Sequence, residues 1–124
     1  TVTFNRNKKR GESLAEELNC ELVHCRDAGT RPIDILINCS PIGMSPNINE
    51  TPFFARDFKE GMVVFDSVYN PLETRLLREA KEAGCTVIPG SELFINQAAQ
   101  QFELFTNQSA PIEAMREVLM EKLK

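Results

Sequence analysis

The run Val64-Phe65-Asp66-Ser67-Val68-Tyr69-Asn70-Pro71 constrains the fold of this chain more than any other. Apolar residues and an acid close a strand; Tyr69, Asn70 and Pro71 then break it. In an open α/β sheet, residues just past a strand's carboxyl end face the ligand crevice. Tyr69, the single tyrosine, therefore stands where a small polar ligand would meet it. Two further segments suit the same crevice: Asn38-Cys39-Ser40-Pro41-Ile42-Gly43-Met44, and Gly90 through Gln97. The plain alternative for each is a strand followed by a turn.

The rest of the chain alternates strand-like and helix-like runs, which means parallel topology and an α/β fold. Strands are expected at Val2 to Phe4, Leu22-Val23, Ile33 to Ile37, Met62 to Phe65 and Thr86 to Ile88. The run Ile33 to Ile37 is almost wholly apolar, as in a parallel strand covered on both faces. Helices are expected over Lys8 to Leu18, with Leu14, Ala15 and Leu18 inward, and over Leu72 to Ala83, with Leu76, Leu77 and Ala80 inward. Gly84 ends the second of these. Ser91 suits the N-cap of a long helix reaching Asn107, and Pro111 the start of a last helix ending near Lys124. The stretch Asn38 to Thr51, rich in Pro, Asn and Ser, is a long loop of the kind that carries function.

Composition closes off several functions. With 124 residues, 42% hydrophobic and 26% charged, the chain is one domain or part of one. A net charge of −4 argues against a nucleic-acid partner. No apolar run approaches the length that spans a membrane. Cys20, Cys25, Cys39 and Cys85 form no Cys-x-x-Cys pair, which suggests reduced thiols in a cytoplasmic protein. Cys20, His24 and Cys25 match no common zinc spacing, so no metal is expected. The chain opens on Thr1, inside a strand-like run, as a segment of a longer polypeptide would.

Three groups of residues bear on chemistry. Asn5-Arg6-Asn7-Lys8-Lys9-Arg10 lies where a strand hands over to a helix, with no acid before Glu12. NAD-preferring dinucleotide folds place an acid near this point for the ribose hydroxyl; guanidinium groups and helix amides instead suit a phosphate. The segment favours NADP, against the alternative of a solvated basic helix start. Gln97 shares a helix face with Leu93, Gln101 and Leu104. Its amide can bond a ligand hydroxyl and carboxylate, though spacing alone favours a cap on a neighbouring backbone group. His24 suits a core or surface role better than that of a general base. Lys81 and Glu82 belong to a solvated helix face. Catalytic candidates are scarce in this chain.

Taken together, these segments resemble shikimate dehydrogenase, in its NADP-binding domain and C-terminal helices. Asn5-Arg6-Asn7 resembles the family's Asn-Arg-Thr, and Arg10 its second phosphate-contacting arginine. Asn38 to Met44 resembles Asn-Ala-Thr-Pro-x-Gly-Met, and Asp66 to Pro71 resembles Asp-x-Val-Tyr-Asn-Pro. Gly90 to Gln97 resembles Gly-x-x-Met-Leu-x-x-Gln, with Leu93-Phe94 in place of Met-Leu. The stretch from Glu92 to Thr106 is most similar to the plant-type bifunctional dehydroquinate dehydratase–shikimate dehydrogenases.

The resemblance implies that Asn5, Arg6, Asn7 and Arg10 hold the 2′-phosphate end of NADP. Ser67 and Gly90 would lie near the nicotinamide, and Tyr69 and Gln97 would contact shikimate or 3-dehydroshikimate. Residues 1–124 would be a partial Rossmann-like domain, with C-terminal helices from about residue 91. The glycine-rich loop, and the catalytic Lys and Asp of a separate N-terminal substrate domain, would precede Thr1. The chain alone would then be inactive. A quinate-using paralogue and a non-catalytic nucleotide-binding module are the alternatives. With a Rossmann strand order of 3-2-1-4-5-6, Val2 to Phe4 corresponds to the second strand and Ile33 to Ile37 to the fourth. The strand between them would be missing, and these two strands would not pair directly.

Overall fold

Apolar β-branched runs and the helices between them fold into two groups of parallel strands. The computed structural model describes residues 2–3, 5, 7–24 and 27–123. Of the residues singled out above, Phe4, Arg6 and Cys25 lie outside them, as do the chain ends Thr1 and Lys124. The first group holds β1 (Val2–Thr3) and β2 (Glu21–Leu22), joined through helix α1 (Lys8–Glu17). The second holds β3 (Ile35–Asn38), β4 (Val63–Asp66) and β5 (Thr86–Ile88) in the order β3-β4-β5. Helix α2 (Arg75–Glu82) connects β4 to β5. Helices α3 (Gly90–Thr106) and α4 (Ile112–Lys122) follow.

All the strand pairings are parallel. The register runs Ile35 beside Val63 and Asn38 beside Asp66, then Val63 beside Thr86 and Phe65 beside Ile88. Among the described residues β1 pairs with β2 and not with β3, as the strand order anticipated.

The core lies between β3-β4-β5 and α2. Leu76, Leu77 and Ala80 of α2 are buried, with Leu36, Val64 and Met62 of the sheet layer. Phe53 and Phe58, from the connection between β3 and β4, join them with ring centroids 5.0 Å apart. Val23 and Ala28 extend the same cluster toward the first strand pair.

Three local expectations change. The run around β3 is covered on one face only. Leu36 and Asn38 are buried, whereas Ile35 is 62% and Ile37 54% exposed. A continuous apolar run records the demand for two covers, but α2 supplies one. The second change concerns α2, which begins at Arg75 rather than Leu72. Thr74 takes the N-cap and its hydroxyl accepts from the Leu77 amide at 3.3 Å, satisfying a donor left open by the helix start. Finally, α3 begins at Gly90 with Pro89 at its N-cap, and Ser91 lies buried in the first turn. Pro89 is extended (φ −78°, ψ 152°) and needs no side-chain cap there. Leu14 and Leu18 of α1 are exposed, and Ala15 with Gly11 makes its buried contact.

Leu77, buried to 2% exposure at the centre of the α2 contact, sets the expected cost of loosening this layer. Leu77→Ala should lower unfolding free energy by about 2–5 kcal/mol through lost burial and the cavity left behind. Denaturant unfolding of the protein measures it, and a loss well under that range would mean the layer can collapse around the gap.

Candidate functional site

Parallel pairing in register brings the carboxyl ends of β3, β4 and β5 to one edge of the sheet. The loop after β3, the turn after β4 and the first turn of α3 therefore meet there. Between the first two lies a cleft of about 390 Å³, lined among others by Cys39, Ser40, Pro41, Met44, Ser67 and Tyr69. Ligands of open α/β sheets bind outside strand carboxyl ends for this topological reason.

The backbone of each wall is fixed by hydrogen bonds. The Ser67 amide donates to the Asn38 carbonyl at 2.9 Å, extending the ladder one step past β4. The Ser45 amide donates to the Asn70 carbonyl at 3.0 Å and ties the far end of the loop to the turn. Gly43 has φ +90°, and a Cβ there would sit 3.1 Å from the Glu50 carbonyl oxygen. Only glycine makes that turn without strain.

Beneath the cleft lies a buried polar group. Asp66 is 0% exposed. Its Oδ1 accepts from the Asn38 side-chain amide at 2.9 Å and from the Val68 amide at 3.0 Å. Its Oδ2 accepts from the Thr74 hydroxyl at 2.7 Å. Asn38 Oδ1 in turn accepts from the Ser40 amide at 3.0 Å and the Ser40 hydroxyl at 2.7 Å. Burial pushes the Asp66 carboxyl above its ordinary value; the bonds from Thr74, Val68 and Asn38 pull the other way and offset this in part.

Tyr69 projects from the turn, and its ring lies against Phe94 of α3 with centroids 4.7 Å apart and planes inclined by 33°. Gly90 makes that approach feasible. A Cβ on it would fall 2.5 Å from the Val68 carbonyl oxygen and 2.6 Å from that of Ser67, closer than real side chains come. Gln97 follows Phe94 by three residues, so both lie on one side of α3. Gln97 is exposed, and its side chain bonds no other described residue. The expected backbone cap is therefore absent among the described residues. The reason is that Leu93, Gln101 and Leu104 also face outward, whereas Ile95 and Ala99 form the buried stripe.

The basic segment sits apart, at the end of β1. Asn7 is the N-cap of α1, its side-chain oxygen accepting from the Arg10 amide at 3.1 Å, and the Asn7 amide donates to Asn5 Oδ1 at 2.9 Å. Lys8, Lys9 and Arg10 are exposed, and no acid lies in the first turn. Lys8 reaches Glu12 at 3.7 Å, a solvated pair. Among the described residues no three potential metal ligands come together, and no helix is long and apolar enough to cross a membrane. His24 is exposed.

Thr74, and the contact of Phe94 with Tyr69, are parts of this site that the sequence reading passed over. A threonine just before a helical stripe is an N-cap signal. Nothing in the spacing pointed from Phe94 to Tyr69.

Asp66 also yields a pH test. A folded-state pKa above the unfolded value means that the folded protein binds this proton more tightly. The contribution to stability is fully present below 3.8 and is lost as pH rises through the folded value. Asp66→Asn lacks this dependence. Unfolding midpoints of wild type and Asp66→Asn, taken from about pH 3 to 7, should diverge against the wild type as pH rises. A difference constant with pH would contradict the burial argument.

Residues 90–120 match the family profile described as shikimate 5′-dehydrogenase C-terminal domain. A shikimate dehydrogenase (NADP(+)) from Methanopyrus kandleri is 41% identical over 134 residues, covering 99% of this chain and 46% of that protein. A chloroplastic bifunctional 3-dehydroquinate dehydratase/shikimate dehydrogenase from Arabidopsis thaliana is 40% identical over 121 residues, covering 95% of this chain and 20% of that protein. A crystal structure of a shikimate dehydrogenase in complex with NADP+ superposes with a TM-score of 0.86 at 35% identity, covering 99% of this chain and 46% of that one. The chain spans about half the length or less of the curated relatives it matches. Over nearly all of its own length it is similar to shikimate dehydrogenases.

Proposed function

We propose that this chain is the NADP-binding, C-terminal part of a shikimate dehydrogenase, an enzyme that reduces the ketone of 3-dehydroshikimate to the alcohol of shikimate. The observation that carries the reading is the meeting, at one sheet edge, of the Asn38–Met44 loop, the Ser67–Asn70 turn and the first turn of α3. That arrangement joins a cleft sized for a small molecule to an exposed phenol, a hydroxyl and an exposed amide.

NADP fits the residues at the start of α1. Its first turn has no acid and three exposed cations, an arrangement that opposes the helix dipole unless an anion binds there. Arg10 would form charge-assisted hydrogen bonds to the 2′-phosphate, with Arg6 as its sequence neighbour in that role. Asn5 and Asn7 shape the turn that presents these donors, since their side chains cap it. Bound NADPH supplies the hydride.

At the sheet edge, Ser67 and the Gly90 turn would border the nicotinamide. Tyr69 would donate its phenol proton to a substrate oxygen, and Gln97 would bond a hydroxyl or the carboxylate. The Phe94 ring limits the swing of Tyr69, so less rotational freedom is lost when substrate binds. These groups bind and orient. Such positioning supplies a large part of a rate enhancement only with an acid–base group in place, and none is assigned within this chain.

The test uses the full-length protein that carries these residues. It should reduce 3-dehydroshikimate with NADPH. Arg10→Ala should weaken NADP roughly ten- to a hundredfold while sparing NAD, as expected for loss of a charged hydrogen bond. Equal losses for both cofactors would remove Arg10 from the phosphate site. Tyr69→Phe and Gln97→Ala should raise KM for shikimate and leave that for NADP unchanged. NADP binding without turnover of shikimate or quinate would favour a nucleotide-binding module, and preference for quinate would favour the paralogue.

A further inference from the structure

Asp66 is the only buried charged residue among those described, and it lies beneath the cleft without lining it. Its hydrogen bonds have an unusual distribution. Asn38 leads into the loop that forms one wall of the cleft, and Val68 into the turn that forms the other. Thr74 begins the helix that covers the sheet. One carboxylate thus joins both walls of the cleft to the rigid layer beneath them.

We propose that Asp66, Asn38 and Thr74 form a positioning clasp that sets the separation of the two cleft walls and, through the turn, the placement of Tyr69 against substrate.

The linkage runs in two directions. Asn38 has both ends of its amide committed, Nδ2 to Asp66 and Oδ1 to the Ser40 amide and hydroxyl. The Ser40 hydroxyl then accepts from the Ile42 amide at 3.3 Å. A rotation of the Asn38 side chain would release the loop at Ser40 and, through it, at Ile42. On the other side, the Val68 amide is held one residue before Tyr69. Thr74 supplies the anchor: its hydroxyl donates to Asp66 and accepts from the Leu77 amide, so the carboxylate cannot shift without disturbing the start of α2. A hydroxyl can donate or accept, so Thr74 holds Asp66 in either protonation state. A network serving the fold alone would direct its bonds into the core; this one sends them to segments that line the cleft. Asn38, Asp66 and Thr74 are all buried and do not line it, so they act through Ser40 and Tyr69 and not by touching substrate.

The effect on turnover rests on the shikimate dehydrogenase reading, whereas the mechanical coupling does not. Both are measured in the full-length protein carrying this chain, with Asn38→Ala, Thr74→Val and Thr74→Ser. Amide hydrogen exchange followed by mass spectrometry reads the coupling. In Asn38→Ala, peptides covering 38–45 and 66–71 should both lose protection, while 75–82 keeps it. Steady-state kinetics read the consequence. Asn38→Ala and Thr74→Val should raise KM for shikimate by about ten- to a hundredfold, the scale of an ångström-sized misplacement, with KM for NADP unchanged. Thr74→Ser keeps the hydroxyl and should restore wild-type behaviour. Unchanged exchange over 66–71 in Asn38→Ala overturns the clasp, whatever the enzyme does with shikimate. Should Asn38→Ala fail to fold, the threonine pair decides: Thr74→Ser behaving like Thr74→Val overturns it. A wild-type protein that does not turn over shikimate removes the functional reading and leaves the clasp to be judged on exchange alone.

Discussion

Parallel pairing in register is the constraint on which the rest depends. Because β3, β4 and β5 run the same way, their exits fall on one edge, and whatever follows each strand must share that space. Asn38 stands beside Asp66 in the register, so the last residues of β3 and β4 face each other as a side-chain pair. A shift of one residue would put every side chain on the opposite face and would carry Asp66 out of the core. The polar pair at the strand ends and the apolar pairs before it, Leu36 with Val64 among them, therefore enforce the same alignment. The cleft is a consequence of that alignment and not a separate feature of its loops.

Burying Asp66 carries a cost that the structure offsets only in part. A carboxylate removed from water is destabilised unless donors replace its hydration. Three donors surround it, yet the net effect is still to hold the proton more tightly than in water. A well-packed apolar residue would serve stability as well or better. What an apolar residue cannot supply is direction: the Oδ1 and Oδ2 atoms specify where Asn38, Val68 and Thr74 must lie, to within a hydrogen-bond length. The site gains a fixed geometry from a group whose burial is costly.

The large features of this architecture were legible in sequence because each rests on local chemistry. Apolar runs gave the strands of the three-stranded sheet, and the proline after Asn70 gave the break that exposes Tyr69. The inward stripe Leu76, Leu77 and Ala80 was legible from helical spacing and is buried as read. The failures are of another kind. Ser91 has the chemistry of an N-cap, but Pro89 already sits in the required extended conformation, so the helix starts two residues earlier. Ile35 and Ile37 look like core residues because periodicity reports hydrophobicity and not what lies opposite. Gln97 was placed on an apolar face, but the apolar residues around it face outward together with it.

The N-terminal end of α3 shows how contacts build a site. Gly90 lets the helix start against the Ser67 and Val68 carbonyls, closer than any side chain would allow. That proximity brings Phe94, one turn on, against Tyr69. Glu92, between them in sequence, points elsewhere: Arg116 of α4 donates to it with two nitrogens, and this holds the Glu92 carboxyl below its ordinary value. A carboxylate in the first turn also suits the helix dipole. Solvated ion pairs contribute little to stability, so this one matters more for where α4 lies than for how firmly it is held. Within five residues α3 thus makes three kinds of contact: a backbone approach that needs glycine, a charged pair to the next helix, and an aromatic face toward the cleft. A substitution at Phe94 would act on the ring contact with Tyr69. A side chain at position 90 would displace the whole helix and, with it, every group that α3 presents to the cleft.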